Sequence, residues 1–195
     1  VMTLGMTGVV QGLTLVYTQG IPKGRAAPLL NQIAASPWFL GIPGILLIWA
    51  ALAVAMTILL KRSSFGRRLY AVGANPRAAT LSGIRVRPLL VTVYGASGLL
   101  AALAGYLFVG YTTTAFLDIG GDYVLRSVAA VVVGGTSLAG GVGSYAGTVA
   151  GSVLLTVLQS ILTTLRMGEA GRLVVHGLVL VALLAAYGRQ RALRQ

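Results

Sequence analysis

Long uncharged runs alternate with short basic segments along this chain. Val1 to Pro22 carries no charge, and neither does Ala26 to Leu60, whose apolar core is Phe39 to Leu60. Pro88 to Leu117 is 30 residues without charge, and Ser127 to Leu165 is 39. Leu173 to Gly188 adds 16 more between Arg172 and Arg189, whose long stems can snorkel. A helix that crosses a bilayer needs roughly 20 apolar residues. The 39-residue run is too long for one such helix and enough for two short ones. Glycine places the break. Gly134, Gly135, Gly140, Gly141 and Gly143 fall within ten residues, a density that argues for a turn or a close backbone approach. The pattern therefore predicts six helices, over residues 1–19, 40–60, 89–110, 124–138, 146–165 and 172–188. The predicted fold class is all-α, a polytopic transmembrane helical bundle forming one domain over 1–195. Three further segments stand out: 61–88, 134–145, which overlaps the end of the fourth predicted helix, and the tail 189–195.

Composition narrows the class. Only 9% of residues are charged and 56% are hydrophobic, with a mean hydropathy of +0.88. Soluble domains carry about 25% charged residues, so a water-soluble enzyme is excluded. The chain is too apolar for disorder. It has no cysteine for a disulfide scaffold, and its 27 glycines show no collagen period. The net charge of +12 could suggest nucleic acid. Here, however, the cations sit between apolar runs, where they orient a membrane protein, so no nucleic-acid partner is expected. Lys61, Arg62, Arg67, Arg68, Arg77, Arg85 and Arg87 share one segment without an acid, and Arg189, Arg191 and Arg194 share the tail. A six-helix topology puts both on one side, and the positive-inside rule makes that side cytoplasmic. The outer side keeps Lys23, Arg25, Arg126, Arg166 and Arg172 and all three acids, Asp118, Asp122 and Glu169. Val1 opens inside an apolar run without an initiator Met, so a piece of a longer protein is expected.

Chemistry has little material. Three acids, one His and no Cys offer neither a metal cluster nor a catalytic triad, so no metal and no catalytic residue is expected. No Gly-x-x-x-x-Gly-Lys-Ser/Thr loop occurs, and Lys is found only at 23 and 61. No cofactor is expected, and any energy from ATP must come from a partner.

Gly143, Gly147 and Gly151 repeat every four residues, as do Gly8 and Gly12, which suits close packing of membrane helices. Within the basic segment, Asn75-Pro76 can open a short helix, with Asn as cap and Pro at the first position. Arg77, Ala78, Ala79, Thr80 and Leu81 would form its turns, and Ser82-Gly83 would stop it. Such a helix between basic flanks suits docking of a soluble partner. The plainer alternative is a solvated loop whose charges only set topology.

These residues carry a resemblance. Thr14-Leu15-Val16-Tyr17-Thr18, the stretch Gly66–Ile84 with its Gly-Arg-x-x-Tyr-Ala-x-Gly opening, and Val128–Gly141 are similar to the permease subunit of bacterial ABC importers for monosaccharides. That group is the ribose, xylose and autoinducer-2 type, related to branched-chain amino-acid permeases. The resemblance covers nearly the whole chain. It implies a multi-pass protein of the bacterial inner membrane that pairs with a second permease copy or paralogue. It further implies two cytoplasmic ATPase subunits or domains, and a periplasmic or lipid-anchored binding protein that delivers the substrate. Arg77-Ala78-Ala79-Thr80-Leu81-Ser82-Gly83 is similar to the Glu-Ala-Ala-x-x-x-Gly loop by which importer permeases contact their ATPases, with Arg77 in place of Glu. Two segments compete as the coupling element. One is 74–84, with Asn75, Pro76, Arg77, Ala78, Ala79, Leu81, Ser82 and Gly83; the other is 134–145, with Gly134, Gly135, Thr136, Ser137, Leu138, Gly140 and Gly141. The sequence does not rank them.

Other polar positions have a plain and a functional reading. Asp118 and Asp122 flank Gly120-Gly121 and are turn residues or contacts to a binding protein, with Arg166, Arg172, Lys23 and Arg25 as rivals of opposite sign. His176 is a packed imidazole or a proton relay, and no carboxylate accompanies it in the helix. Gln11, Gln159 and Ser160 form interhelical hydrogen bonds or recognise hydroxyls along a solute path. The rival to an ATP-driven importer is a secondary transporter or channel, whose paired intramembrane charges and broken helices this sequence does not display.

Overall fold

A computed structural model describes residues 2–21, 26–39, 41–115 and 119–166, with 168, 171–172, 174–175 and 177–178. In chain order its elements are α1 (Met2–Thr18), α2 (Pro28–Ala35), β1 (Pro37–Phe39), β2 (Ile42–Pro43), α3 (Gly44–Arg62) and α4 (Ser64–Ala74). There follow α5 (Pro76–Leu81), α6 (Val86–Thr112), α7 (Ile119–Val133) and α8 (Tyr145–Thr164). The only sheet among the described residues is the antiparallel β1–β2 ribbon. The fold is that of an all-α membrane protein. Helices α3, α6 and α8 are long and apolar enough to cross a membrane, and α7 holds a shorter apolar stretch, Tyr123–Val133. Trp49, Val54 and Ile58 of α3, Val91 and Leu99 of α6, and Leu154 and Val157 of α8 are exposed. Apolar faces of this extent require lipid or further helices as cover.

Five of the six predicted helices are present, with shifted ends; the sixth falls mostly outside the described residues. The predicted helix from residue 40 begins only at Gly44, because the ribbon and Pro43 occupy the approach. The helix expected over 124–138 runs instead over Ile119–Val133. Gly135, at φ 83, takes the left-handed conformation that ends it. Two helices went unpredicted. One is α2, where Pro28 starts a helix of two turns. The other is α4, inside the basic 61–88 segment.

The chain divides into two compact units, residues 1–51 with 90–121, and 52–89 with 122–195. In the first, α2 packs on the end of α6. Leu30 and Ala34 are buried, and Asn31 Nδ2 donates to the Gly110 carbonyl at 3.0 Å. In the second, Val72, Ala79 and Leu89 are buried together, with Phe65, Ile84 and Val86 against them. A separate cluster of Ala129, Ala130 and Leu155 joins α7 to α8.

Candidate functional site

The site is built from α4, α5 and the segment 134–145, all within the second unit. Ser63 caps α4: its Oγ accepts from the Gly66 N–H at 3.1 Å. Phe65 and Val72 face the small core below, while Arg67 and Arg68 stay exposed. Asn75 then ends α4 and starts α5. Its N–H donates to Ala71, and its Oδ1 accepts from the Arg77 and Ala78 N–H groups at 3.0 and 3.1 Å. Pro76 occupies the first helical position, where no donor is needed. A helix of six residues is not stable alone. Ala79, 4% exposed, anchors it to the Val72–Leu89 cluster.

The end of α5 is a Schellman motif. Gly83 N–H donates to Thr80 O and Ile84 N–H to Ala79 O, both at 3.0 Å, and Ile84 joins the same apolar cluster as Ala79. The end of α7 repeats it. Gly135 N–H donates to Val132 O at 2.9 Å and Thr136 N–H to Val131 O at 3.1 Å. Ser137 N–H then donates to Val142 O at 2.9 Å, and Gly140 N–H to Ser137 O at 3.0 Å, closing a compact turn.

The 134–145 segment meets the end of α4, which leads into the 74–84 segment. Tyr70 of α4 donates its hydroxyl hydrogen to the Gly143 carbonyl at 3.0 Å. A Cβ on Gly73 would lie 2.9 Å from the Gly141 nitrogen, and one on Gly140 would strike the Gly73 carbonyl. Backbone therefore lies on backbone, and no larger residue fits at 73 or 140. The junction floors a cleft of about 310 Å³, lined among others by Leu60, Leu69, Thr136 and Tyr145. Around it, Arg77, Ala78 and Thr80 are exposed, Leu81 is 90% exposed, and Leu138 and Val142 are also open. The surface thus combines guanidinium charge with unpartnered apolar side chains, chemistry suited to a mixed acidic and apolar partner surface.

Of the glycine repeat behind the junction, Gly147 and Gly151 of α8 sit at a contact with the end of α7, whereas Gly143 lies in the turn before α8 and packs no helix. A Cβ on Gly147 would overlap the Gly134 carbonyl, and one on Gly151 the Ala130 carbonyl. One on Gly143 would crowd the Thr136 side chain. Gly8 and Gly12 differ, having nothing within 4 Å of that position. Of the outer candidates, Arg166 is exposed and Arg172 Nη1 donates to Thr163 Oγ1 at 3.3 Å. Asp118, Lys23, Arg25, Glu169 and His176, and the tail from 189, lie outside the described residues, as does the side chain of Asp122. Gln11 is exposed on α1, and Gln159 but not Ser160 lines a cleft between α7 and α8. Sequence reasoning missed the roles of Tyr70 and Gly73. Both are fixed positions of the Gly-Arg-x-x-Tyr-Ala-x-Gly pattern, which gave their identity but not what they touch.

A family model described as branched-chain amino acid transport system / permease component matches residues 1–184. The chain is 40% identical over 182 residues to the ribose import permease protein RbsC of Bacillus subtilis (strain 168), covering 93% of this chain and 56% of that one. RbsC of Escherichia coli (strain K12) is 36% identical over 186 residues, covering 93% and 57%. The autoinducer 2 import system permease protein LsrC of Yersinia enterocolitica serotype O:8 / biotype 1B is 35% identical over 199 residues, covering 98% and 53%. The chain thus spans little more than half the length of these relatives. No solved structure matches it.

Proposed function

Since this chain belongs to the family of branched-chain amino acid transport system permease components, we propose that it forms part of the membrane-spanning subunit of an ATP-driven bacterial importer for a small solute of the monosaccharide class. Relatives named for ribose and autoinducer-2 import support a sugar over an amino acid. The chain conducts and does no bond chemistry. Partner ATPases supply the energy, a binding protein delivers the solute, and a second permease completes the path. The basic 61–88 segment and the tail face the cytoplasm under the positive-inside rule.

One observation carries this reading. The α4–α5 segment and the 134–145 turn form a single packed junction, through Tyr70–Gly143 and Gly73–Gly141. An ATPase pressing on α5 would move α4, which shares the Val72–Ala79 cluster with it and whose backbone touches the turn between α7 and α8. Transmission requires a contact whose free energy differs between open and closed states, and a backbone-on-backbone seat is stiff enough to provide it. The two coupling candidates then act as one.

Reconstitution tests the proposal. Proteoliposomes holding the full-length permease, its cognate ATPase and binding protein should accumulate radiolabelled D-ribose or another monosaccharide only with ATP on the ATPase side. Accumulation without any ATPase subunit would replace this reading with a secondary transporter.

A further inference from the structure

Helices α7 and α8 share a cleft of about 360 Å³ within the second unit. Clefts that hold small molecules measure about 300–1,000 Å³. Its lining comes from positions 123, 126, 127 and 130 of α7 and 152, 155, 156 and 159 of α8. Both sets follow the spacing i, i+3, i+4, i+7, which is one face of a helix. Six of the eight residues are polar: Tyr123, Arg126, Ser127, Ser152, Thr156 and Gln159. The other faces of the same helices carry Val124, Leu125, Val128, Val153, Leu154 and Val157, all exposed. Each helix thus gathers its polar residues on the cleft side, although most of the cleft wall itself is carbon.

This division has a physical reason. A guanidinium facing hydrocarbon is costly, and membrane proteins turn such groups toward water or protein. The Ser127, Ser152 and Thr156 hydroxyls donate to carbonyls of their own helices, at 2.8 Å each, so their oxygens still have acceptor capacity toward the cleft. Gln159 offers both donor and acceptor, and the Arg126 guanidinium lies 5.9 Å from the Tyr123 ring centre. Among the described side chains, no carboxylate lines the cleft. A guanidinium, an amide, three hydroxyls and one aromatic ring together suit a solute that carries hydroxyl groups.

We infer that the α7–α8 cleft is an aqueous segment of the solute path, with Arg126 and Gln159 as its specificity-determining side chains. The inference rests on the proposed transport function and adds to it the residues that meet the solute.

The chain has no native cysteine, and any cysteine in the remainder of the full-length permease is first replaced by serine. Ser127→Cys and Thr156→Cys are made in the full-length permease within the assembled importer, with Val153→Cys and Leu154→Cys as controls on the apolar face. The impermeant thiol reagent MTSET is supplied to both membrane faces. The cleft thiols should react at least about tenfold faster than the controls, because a thiolate forms readily in water and is suppressed in lipid. Equal rates at all four sites, or unreactive cleft thiols sealed by a second permease copy, would overturn the inference. Arg126→Gln and Gln159→Leu should then raise KM for the transported sugar while binding-protein-stimulated ATPase activity persists. Unchanged KM across a panel of monosaccharides would remove these two residues as specificity determinants. If the wild-type importer takes up no sugar, the proposed function fails, and the thiol rates still decide whether the cleft is an aqueous path.

Discussion

At the scale of single residues, the telling positions are those where backbone meets backbone. Gly147 and Gly151 face the carbonyls of Gly134 and Ala130, so a side chain there has nowhere to go. Val153, two positions beyond, is 47% exposed. Gly147→Leu should destabilise the assembled complex by about 1–3 kcal/mol, the usual cost of overpacking, while Val153→Leu should change little. Thermal unfolding in detergent or nanodiscs checks this, and equal small shifts at both sites would dismiss the close contact. Asn75 offers a second test. Its Oδ1 satisfies two N–H groups of a very short helix, and losing such a cap costs about 1 kcal/mol. In Asn75→Ala the amides of residues 77–79 should exchange hydrogen roughly fivefold faster. Unaltered exchange would mean that the Ala79 anchor alone holds the helix. The four-residue glycine spacing meets a close contact at 147 and 151, while Gly143 falls in the turn before α8. At Gly8 and Gly12 the same spacing meets open space, because spacing reports a face and not what lies opposite it.

At the scale of elements, legibility followed local chemistry. Asn75-Pro76 and Ser82-Gly83 predicted both ends of α5, since caps and left-handed stops are written in adjacent residues. Helix α4 was hidden because its apolar positions, Phe65, Leu69 and Val72, are diluted by charge. The partner they cover is formed by residues many positions away. The α7–α8 polar face was legible in part. Gln159 stood out singly, but its alignment with Arg126 needed two helices brought side by side. The junction of α4 with the 134–145 turn makes a prediction of its own. Leu81→Asp, on α5, and Leu138→Asp, on the turn, alter exposed apolar positions without disturbing the packed contact. If the two segments couple as one, both variants should insert normally and keep basal ATP hydrolysis in the complex. Both should lose most of the stimulation by binding protein, and uptake with it. A defect in one and wild-type behaviour in the other would assign coupling to a single segment.

At the scale of the whole molecule, the question is which side of the membrane each segment faces. Ten of the 15 cations lie in the 61–87 stretch and the tail, with no acid among them. That bias favours a cytoplasmic location. The Tyr70–Gly143 hydrogen bond adds an independent constraint. Two segments in contact lie on one side, so the chain between them crosses the membrane an even number of times. Helix α6, at 27 residues, is long enough for one crossing. On the proposed topology helix α7 makes the return, and its 15 residues reach only about 22 Å, short of a hydrocarbon core of about 30 Å. On that topology its start, with Gly120 and Gly121, is expected at the outer interface. Single cysteines can read this. Ser64→Cys and Leu138→Cys, both at exposed positions, should resist MTSET in intact cells and react once the membrane is opened. Gly120→Cys, where a Cβ meets no atom within 4 Å, should react from outside at once. Labelling of Ser64→Cys from outside would invert the topology. Labelling of Ser64→Cys and Leu138→Cys from opposite sides would break the junction itself, and the coupling argument that rests on it.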